Sequence, residues 1–122
     1  MPKMAAVLQR FDGAHISDVE KAVREQLTRP EIAARVNSGM RIAIGAGSRG
    51  IENIGITVRA TVQALRELGA EPFVFPAMGS HGGATPEGQQ AVLAGYGITE
   101  EDVGAPIRAT MDTILIGEMK DG

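Results

Sequence analysis

The sequence predicts a single α/β domain, built on a Rossmann-like parallel sheet with helices on both faces. Three observations predict this fold class. Short apolar runs alternate with helical segments, glycine-rich loops follow two of those runs, and 43% of the 122 residues are hydrophobic. The order strand–helix–strand–helix–strand is typical of parallel strands joined by helical crossovers. We expect the domain to span residues 1–122 as the N-terminal, incomplete part of a larger two-domain protein, since residues 119–122 carry no terminating signal.

Composition narrows the classes of function. The net charge of −3 argues against nucleic acid as a partner, because nucleic-acid binders usually carry a basic face. The chain has no cysteine, which excludes disulfides and thiolate chemistry within it and agrees with a cytoplasmic location. Its sequence has no run of about 20 apolar residues, so we expect no membrane partner.

Local signals place the first elements. Residues 4–8 predict a first strand or an extended arm. Residues 17–20, Ser-Asp-Val-Glu, match a capping box with Ser17 as the cap of a helix. Residues 28–31 repeat the box, with a proline near the first helical position, for a short helix through Val36.

Two strand–helix pairs follow, and then a capped turn and two further strands. Residues 40–44 form an apolar run broken only by an arginine, which is typical of a strand covered on both faces. A long helix follows from Ile54 to Leu68, with Gly69 placed to end it. The remaining predicted elements are a strand over 72–75, a helix from 85–86 to about 94, a capped turn over 99–103, and strands over 107–109 and 113–117.

The first glycine-rich loop, residues 45–50, has the sequence GAGSRG and matches G-x-G-x-x-G between a strand and a helix. A dinucleotide fingerprint also needs an acidic residue at the carboxyl end of the second strand, whereas Glu71 precedes that strand. Arg49 instead favours an anion site, because helix N-terminal amides and a guanidinium both bind carboxylates or phosphates. The alternative is a tight turn with a solvated arginine.

The second loop, residues 77–85, places His81 among small residues at the end of the second strand. Loops that follow neighbouring parallel strands share one edge of the sheet, so we expect loops 45–50 and 77–85 to form the edge of the site. There, Arg49 would bind a small acid and His81 would transfer a proton near neutral pH. The alternative is a histidine that only hydrogen-bonds its own loop. Ser80 either contacts a ligand or closes the turn.

The remaining titratable residues point to no further site. We expect His15 to be a surface residue. The His, Asp and Glu residues of the chain show no metal-ligand spacing, so we assign no metal-binding residue.

At these two loops the chain resembles the nickel-dependent lactate racemase family. The resemblance rests on GSRG after the first sheet strand and AMGSHGGATPEG after the second, and it covers most of residues 40–118. It implies that Arg49 grips the substrate carboxylate and that His81 is one of two acid–base histidines. The cofactor-binding residues that it implies are Gly47, Ser48, Gly79 and Ser80.

The resemblance implies redox racemisation of a 2-hydroxy acid with a nickel-pincer nucleotide as cofactor. A histidine removes the hydroxyl proton while a hydride passes to the cofactor, and the keto acid takes the hydride back on either face. The family's tethering lysine, nickel ligand and second histidine match no residue here. The chain is therefore expected to be inactive alone, to need the remainder of a parent polypeptide, and to self-associate through exposed apolar surface.

The chain departs from the family pattern at three positions. Ala46 stands where the family has an aspartate, Gly50 where it has a proline, and Gly82 where it often has an arginine. These departures indicate a divergent subgroup that acts on another 2-hydroxy acid. Two alternatives stay open: a non-catalytic module that binds phosphate or carboxylate, and a nucleotide-binding oxidoreductase domain.

Overall fold

The structure is a computed structural model, and it describes residues 4–117. Helices and strands are mixed along the chain. In order they are α1 (Val19–Leu27), α2 (Pro30–Ala33), β1 (Arg41–Ala46), α3 (Ile54–Glu67), β2 (Glu71–Pro76), a 3-10 turn (His81–Ala84), α4 (Pro86–Ala94) and α5 (Glu100–Val103). None of the helices described is long and apolar enough to cross a membrane.

The sheet consists of β1 and β2, which run parallel in a register that pairs Arg41 with Glu71. The predicted parallel pairing of these two strands is therefore confirmed. The strand predicted over 107–109 is reduced to a single parallel bridge between Ile107 and Val74. Val74 N–H donates to Pro106 O at 2.9 Å, and Arg108 N–H donates to Val74 O at 2.8 Å. This segment thus extends the sheet on the side of β2 away from β1.

The core lies on one face of this sheet. Helix α3 packs against β2, and α1 packs against α3. Burying each aliphatic side chain contributes about 1.5–3 kcal/mol, so a small core can be held without large aromatics. The buried cluster consists of Ala46, Val58, Val62, Val74, Leu93, Ile98, Val103 and Ala105.

The opposite face of the sheet is open. Ala43 and Gly45 of β1 are exposed, and on β2 Phe73 is half-buried and Phe75 is 37% exposed. The apolar run at 40–44 predicted a strand covered on both faces. This prediction is wrong, because no other part of residues 4–117 covers the second face of β1. Helices were expected on both faces of the sheet, but among residues 4–117 they cover only the face that carries the core. Composition marks a strand as apolar, but it does not tell how many of its faces are packed.

The start of α1 differs by one residue from the predicted capping box. The N-cap is Asp18, whose carboxylate accepts from Lys21 N–H at 2.9 Å, so Ser17 is not the cap. A carboxylate at the N-cap satisfies a free amide of the first turn and also favours the positive end of the helix dipole. Asp18 therefore takes the position that the Ser-x-x-Glu pattern assigned to its neighbour.

The second predicted capping box is also wrong. Thr28 is the C-cap of α1, and its hydroxyl donates to Arg24 O at 2.9 Å. Its side chain is thus engaged with the preceding helix, and α2 begins after Arg29 without a side-chain cap. Helix α2 ends at Ala33 and does not continue through Val36.

The three later helices agree with the sequence signals. Helix α3 ends where predicted, and Gly69 adopts φ +87°, a conformation that glycine accepts readily. The Thr85 hydroxyl accepts from Gly88 N–H at 3.1 Å at the start of α4. The Thr99 hydroxyl caps α5 in the same way, accepting from Asp102 N–H at 3.1 Å.

Neither outer apolar segment forms a strand. Residues 4–8 have no regular structure and are exposed, which agrees with the arm and not with a first strand. Residues 113–117 are also irregular, and Ile114, Leu115 and Ile116 are 81–94% exposed. β-Branched residues favour strands only where a neighbouring strand is available for pairing. The predicted lack of a terminating signal at 119–122 lies outside the described residues.

Candidate functional site

The two glycine-rich loops begin side by side at the carboxyl edge of the sheet. Strand β1 ends at Ala46 and β2 ends at Pro76, which are partners in the register. Ala77 N–H then donates to Ala46 O at 2.8 Å, which extends the pairing by one residue. The segments 47–53 and 77–85 therefore leave the sheet together, at the edge where parallel sheets usually carry their ligands.

A side-chain hydrogen bond joins the two loops. Ser48 Oγ lies within hydrogen-bond distance of His81 Nδ1. A hydroxyl can either donate or accept, so this contact persists whether Nδ1 carries a proton or not. Because Nδ1 is engaged, Nε2 is the ring nitrogen left for a ligand. His81 is exposed at this edge, so a ligand in solution can reach it.

Tyr96 anchors the backbone beneath Ser48. Its hydroxyl donates to Ser48 O at 3.0 Å, and its ring packs against the buried cluster. The sequence patterns did not point to this residue. The available signal was that Tyr96 is the one tyrosine of the chain and lies between two glycines just after a predicted helix. Tyr96, Ser48 and His81 thus form a chain of contacts from the core to the edge of the site.

The turn that carries His81 lies directly on α4. A Cβ atom at Gly88 would lie 1.8 Å from Gly82 O, and one at Gly82 would lie 2.4 Å from Gly88 C. Gly82 also has φ +64°, where a side chain is strained. This contact gives a physical reason for glycine at position 82, where the resembled family often carries arginine.

Gln89 holds the start of the same loop. Its side chain is 5% exposed, and Nε2 donates to Gly79 O at 2.6 Å. Burying a side-chain amide without a partner would destabilise the fold, but this hydrogen bond satisfies the amide and holds the loop in place. Gln89 was also missed, and its signal was a polar residue one turn after the Thr85 cap.

The other predicted site residues lie on the same two loops, and among the described residues none of their side chains is hydrogen-bonded to His81. Arg49 follows Ser48, is exposed, and forms no ion pair within residues 4–117. Ser80 is exposed, and its hydroxyl caps no helix. A Cβ atom added to Gly47 or Gly79 would meet no heavy atom within 4 Å, so both backbones have open space beside them.

The first loop does not form a helix N-terminal anion site. Gly45 belongs to β1, and α3 begins only at Ile54, after Asn53 in a left-handed conformation. The free amides of α3 therefore lie beyond Gly50 and not within the glycine-rich segment. The predicted contribution of helix amides is therefore wrong, and the anion site predicted for this loop depends on Arg49 alone.

Position 46, where the resembled family has an aspartate, belongs to the core. Ala46 is 2% exposed and ends β1. An ionised carboxylate buried there without a partner would be strongly destabilising. As a result, no carboxylate from this position neighbours Ser48 or Arg49.

Metal-ligating side chains do not cluster in the part of the chain that the structure describes. No group of three or more His, Cys, Asp and Glu residues between positions 4 and 117 could hold a metal ion. His15 is exposed, as expected, and its Nδ1 lies 3.3 Å from Gly13 O, on a separate loop.

Comparisons of the chain with protein-family models, with curated proteins and with solved structures find no significant match. The candidate site is therefore argued from its own geometry, and the family resemblance stays a prediction from the two loop sequences.

Replacing Tyr96 with phenylalanine is expected to lower the free energy of unfolding by about 1 kcal/mol, because only the hydrogen bond to Ser48 O is removed. The ring would still pack against the core. Urea unfolding measures the stability, and NMR signals of the His81 ring report whether the loop shifts. Unchanged stability together with unchanged ring signals would mean that Tyr96 does not position Ser48.

Proposed function

We propose that this chain is the Rossmann-like N-terminal lobe of a cytoplasmic racemase or epimerase that acts on a 2-hydroxy acid and is similar to lactate racemase. The observation that carries the proposal is the hydrogen bond between Ser48 Oγ and His81 Nδ1. It joins the two loops on which the family resemblance rests. In the complete protein, further chain would cover the open face of the sheet and add the second half of the site.

His81 is the proposed acid–base residue. Its Nε2 takes the proton from the 2-hydroxyl group of the substrate and later returns it. For Nε2 to take the proton, the neutral ring carries its own proton on Nδ1 and donates it to Ser48 Oγ, and this hydrogen bond is kept when the ring becomes doubly protonated. Racemisation needs a group that works in both directions, and a hydroxyl partner supports both forms of the ring.

Arg49 is the proposed carboxylate anchor. Its guanidinium is exposed beside Ser48 and forms no ion pair within residues 4–117. The buried Ala46 places no competing carboxylate beside it. A bidentate contact from Arg49 would fix the acid group of the substrate, so that the neighbouring 2-hydroxyl faces His81.

The nickel-pincer nucleotide is part of the proposal for the parent polypeptide. When bound, such a nucleotide would supply the hydride chemistry of the reaction. Open space beside Gly47 and Gly79, together with the exposed Ser80, leaves room for it at this edge, and Ser48 lies on the same loop as Gly47. The residues from 4 to 117 do not fit a nickel centre, since they contain no suitable ligand cluster. We therefore assign the nickel ligand, the tether and the second base to other parts of the protein.

A second candidate is a module that binds a carboxylate or phosphate without chemistry. Arg49 favours it, because Arg49 is exposed and has no ion-pair partner between positions 4 and 117, and such a group binds an anion without help from His81. A nucleotide-binding oxidoreductase domain has less support, since the glycine-rich segment does not lead directly into α3.

The proposed reaction has an isotopic test. The full-length protein, charged with the nickel-pincer nucleotide, is incubated with single enantiomers of 2-hydroxy acids deuterated at C2. We expect interconversion with the deuterium retained in the product, because the C2 hydrogen leaves and returns as a hydride. Chiral chromatography with mass spectrometry measures both quantities.

Two results would contradict the proposal. Interconversion with loss of deuterium to water would indicate proton removal at C2 and another mechanism. Binding of the acids, measured by calorimetry, with no interconversion in the charged protein would favour the non-catalytic module.

A further inference from the structure

Three arginines line a cleft at the opposite end of the sheet from His81. Arg41 begins β1, Arg66 lies in the last turn of α3, and Arg108 follows the bridge at Ile107. The cleft has a volume of about 260 Å³, and its lining also includes Glu71, Phe73 and Pro106. It lies at the amino ends of the strands, whereas the candidate active site lies at their carboxyl ends.

Phe73 holds two of the three guanidinium groups in place. The Cζ atom of Arg41 lies 5.7 Å from the centroid of the Phe73 ring, and that of Arg108 lies 4.9 Å from it. The arginines come from the segments on either side of β2, so the ring stands between them on the open face. A guanidinium stacked on an aromatic ring keeps its N–H donors directed outward, where an oxyanion can bind.

The charge of the cleft is unbalanced. Three arginines meet one carboxylate, Glu71, and none of the three forms an ion pair within residues 4–117. Elsewhere the arginines Arg24 and Arg59 are paired with Glu67 and Glu20. In a chain of net charge −3, the concentration of unpaired positive charge in one concave place creates a local field that attracts anions.

We propose that this cleft binds a phosphate group, either as inorganic phosphate or as a phosphate monoester. A carboxylate has two oxygens and is filled by one guanidinium fork. A phosphate carries more charge and has three peripheral oxygens, so it accepts from more than one fork at once. Phe73 is a positioning residue here, because it orders Arg41 and Arg108 without touching the ligand. The proposal does not depend on the function assigned to His81.

The test is an NMR-detected titration of the 122-residue chain at low ionic strength. Inorganic phosphate and glycerol 3-phosphate serve as separate probes. We expect saturable shifts confined to the cleft. Arg66→Gln and Arg108→Gln should each weaken binding at least tenfold, in keeping with about 1.5–3 kcal/mol for a charged hydrogen bond. Arg35→Gln is the matched control, because Arg35 is exposed and lies outside the cleft.

The outcomes separate the alternatives. Tighter binding of the monoester identifies an organic phosphate as the ligand, and tighter binding of the inorganic ion identifies free phosphate. Shifts that do not saturate, or that weaken equally in Arg35→Gln, would overturn the proposal. Equal affinity for acetate would overturn the assignment to phosphate. Both test arginines are exposed, so their replacement is expected to leave the fold intact, which circular dichroism checks.

Discussion

Replacement of His81 with alanine is expected to abolish measurable interconversion of 2-hydroxy acid enantiomers, with kcat lowered by about 10²- to 10⁴-fold. The proposed role of His81 is to remove the hydroxyl proton and return it, and no second histidine lies at this edge within residues 4–117. The experiment uses the full-length protein charged with its cofactor. Rates are measured in both directions by chiral chromatography.

His15→Ala provides the matched control for this experiment. It removes the same side chain from an exposed position whose hydrogen-bond contact in the structure is with Gly13 O and not with His81, so activity should be unchanged. The activity of Ser48→Ala should lie between those of His81→Ala and His15→Ala, because this variant keeps the His81 imidazole but removes the hydrogen-bond partner of its Nδ1. Full activity in His81→Ala, with cofactor content unchanged, would make His81 a structural residue and would contradict its proposed acid–base role.

Replacement of Gly88 with alanine is expected to lower the free energy of unfolding by about 3 kcal/mol. The new Cβ would lie 1.8 Å from Gly82 O and 2.8 Å from Thr85 Oγ1, so the backbone of the turn or of α4 must move. For a domain of this size the loss corresponds to a fall in Tm on the order of 10 °C. Thermal and urea unfolding measure it.

Gly47→Ala is the control for Gly88→Ala. A Cβ at Gly47 would meet no heavy atom within 4 Å, and the residue does not have a positive φ. Its stability should therefore stay within about 0.5 kcal/mol of the parent chain. If Gly88→Ala proved as stable as Gly47→Ala, the turn carrying His81 would not lie against α4 in the way described.

The sequence predicted the elements whose signals are local. Helix α3 combines apolar spacing with a glycine stop, and α4 and α5 each begin at a threonine cap. Such signals involve residues within one or two turns of each other. Local signals can also compete with one another, and both predicted capping boxes failed for this reason. At α1 the neighbouring Asp18 is the cap in place of Ser17, and at α2 the Thr28 side chain is hydrogen-bonded to the preceding helix.

Features that depend on distant neighbours were not predictable in the same way. The apolar run of β1 carries no information on whether one or two of its faces are covered. The outer segments 4–8 and 113–117 have strand-forming residues but no neighbouring strand. Whether a strand forms there depends on an available edge and not on the segment itself.

In the candidate site, too, the position of the loops was predictable from the sequence, whereas the contacts between distant residues were not. The order of elements placed loops 45–50 and 77–85 at one edge, because parallel strands that are neighbours end together. The supporting contacts of Tyr96 and Gln89 were not foreseen. Tyr96 reaches Ser48 across 48 residues of sequence, and Gln89 depends on how α4 lies beneath the turn.

The parallel register also bears on how the chain folds. Arg41 pairs with Glu71, thirty residues later, and every other pair of β1 and β2 keeps this separation. No strand pair can therefore form as a local hairpin. Formation of the first pair between β1 and β2 carries the entropic cost of closing a loop that contains α3. Helix α3 can form from neighbouring residues alone, which shortens that loop. We therefore expect the sheet, and with it the edge that carries His81, to form after the helices during folding.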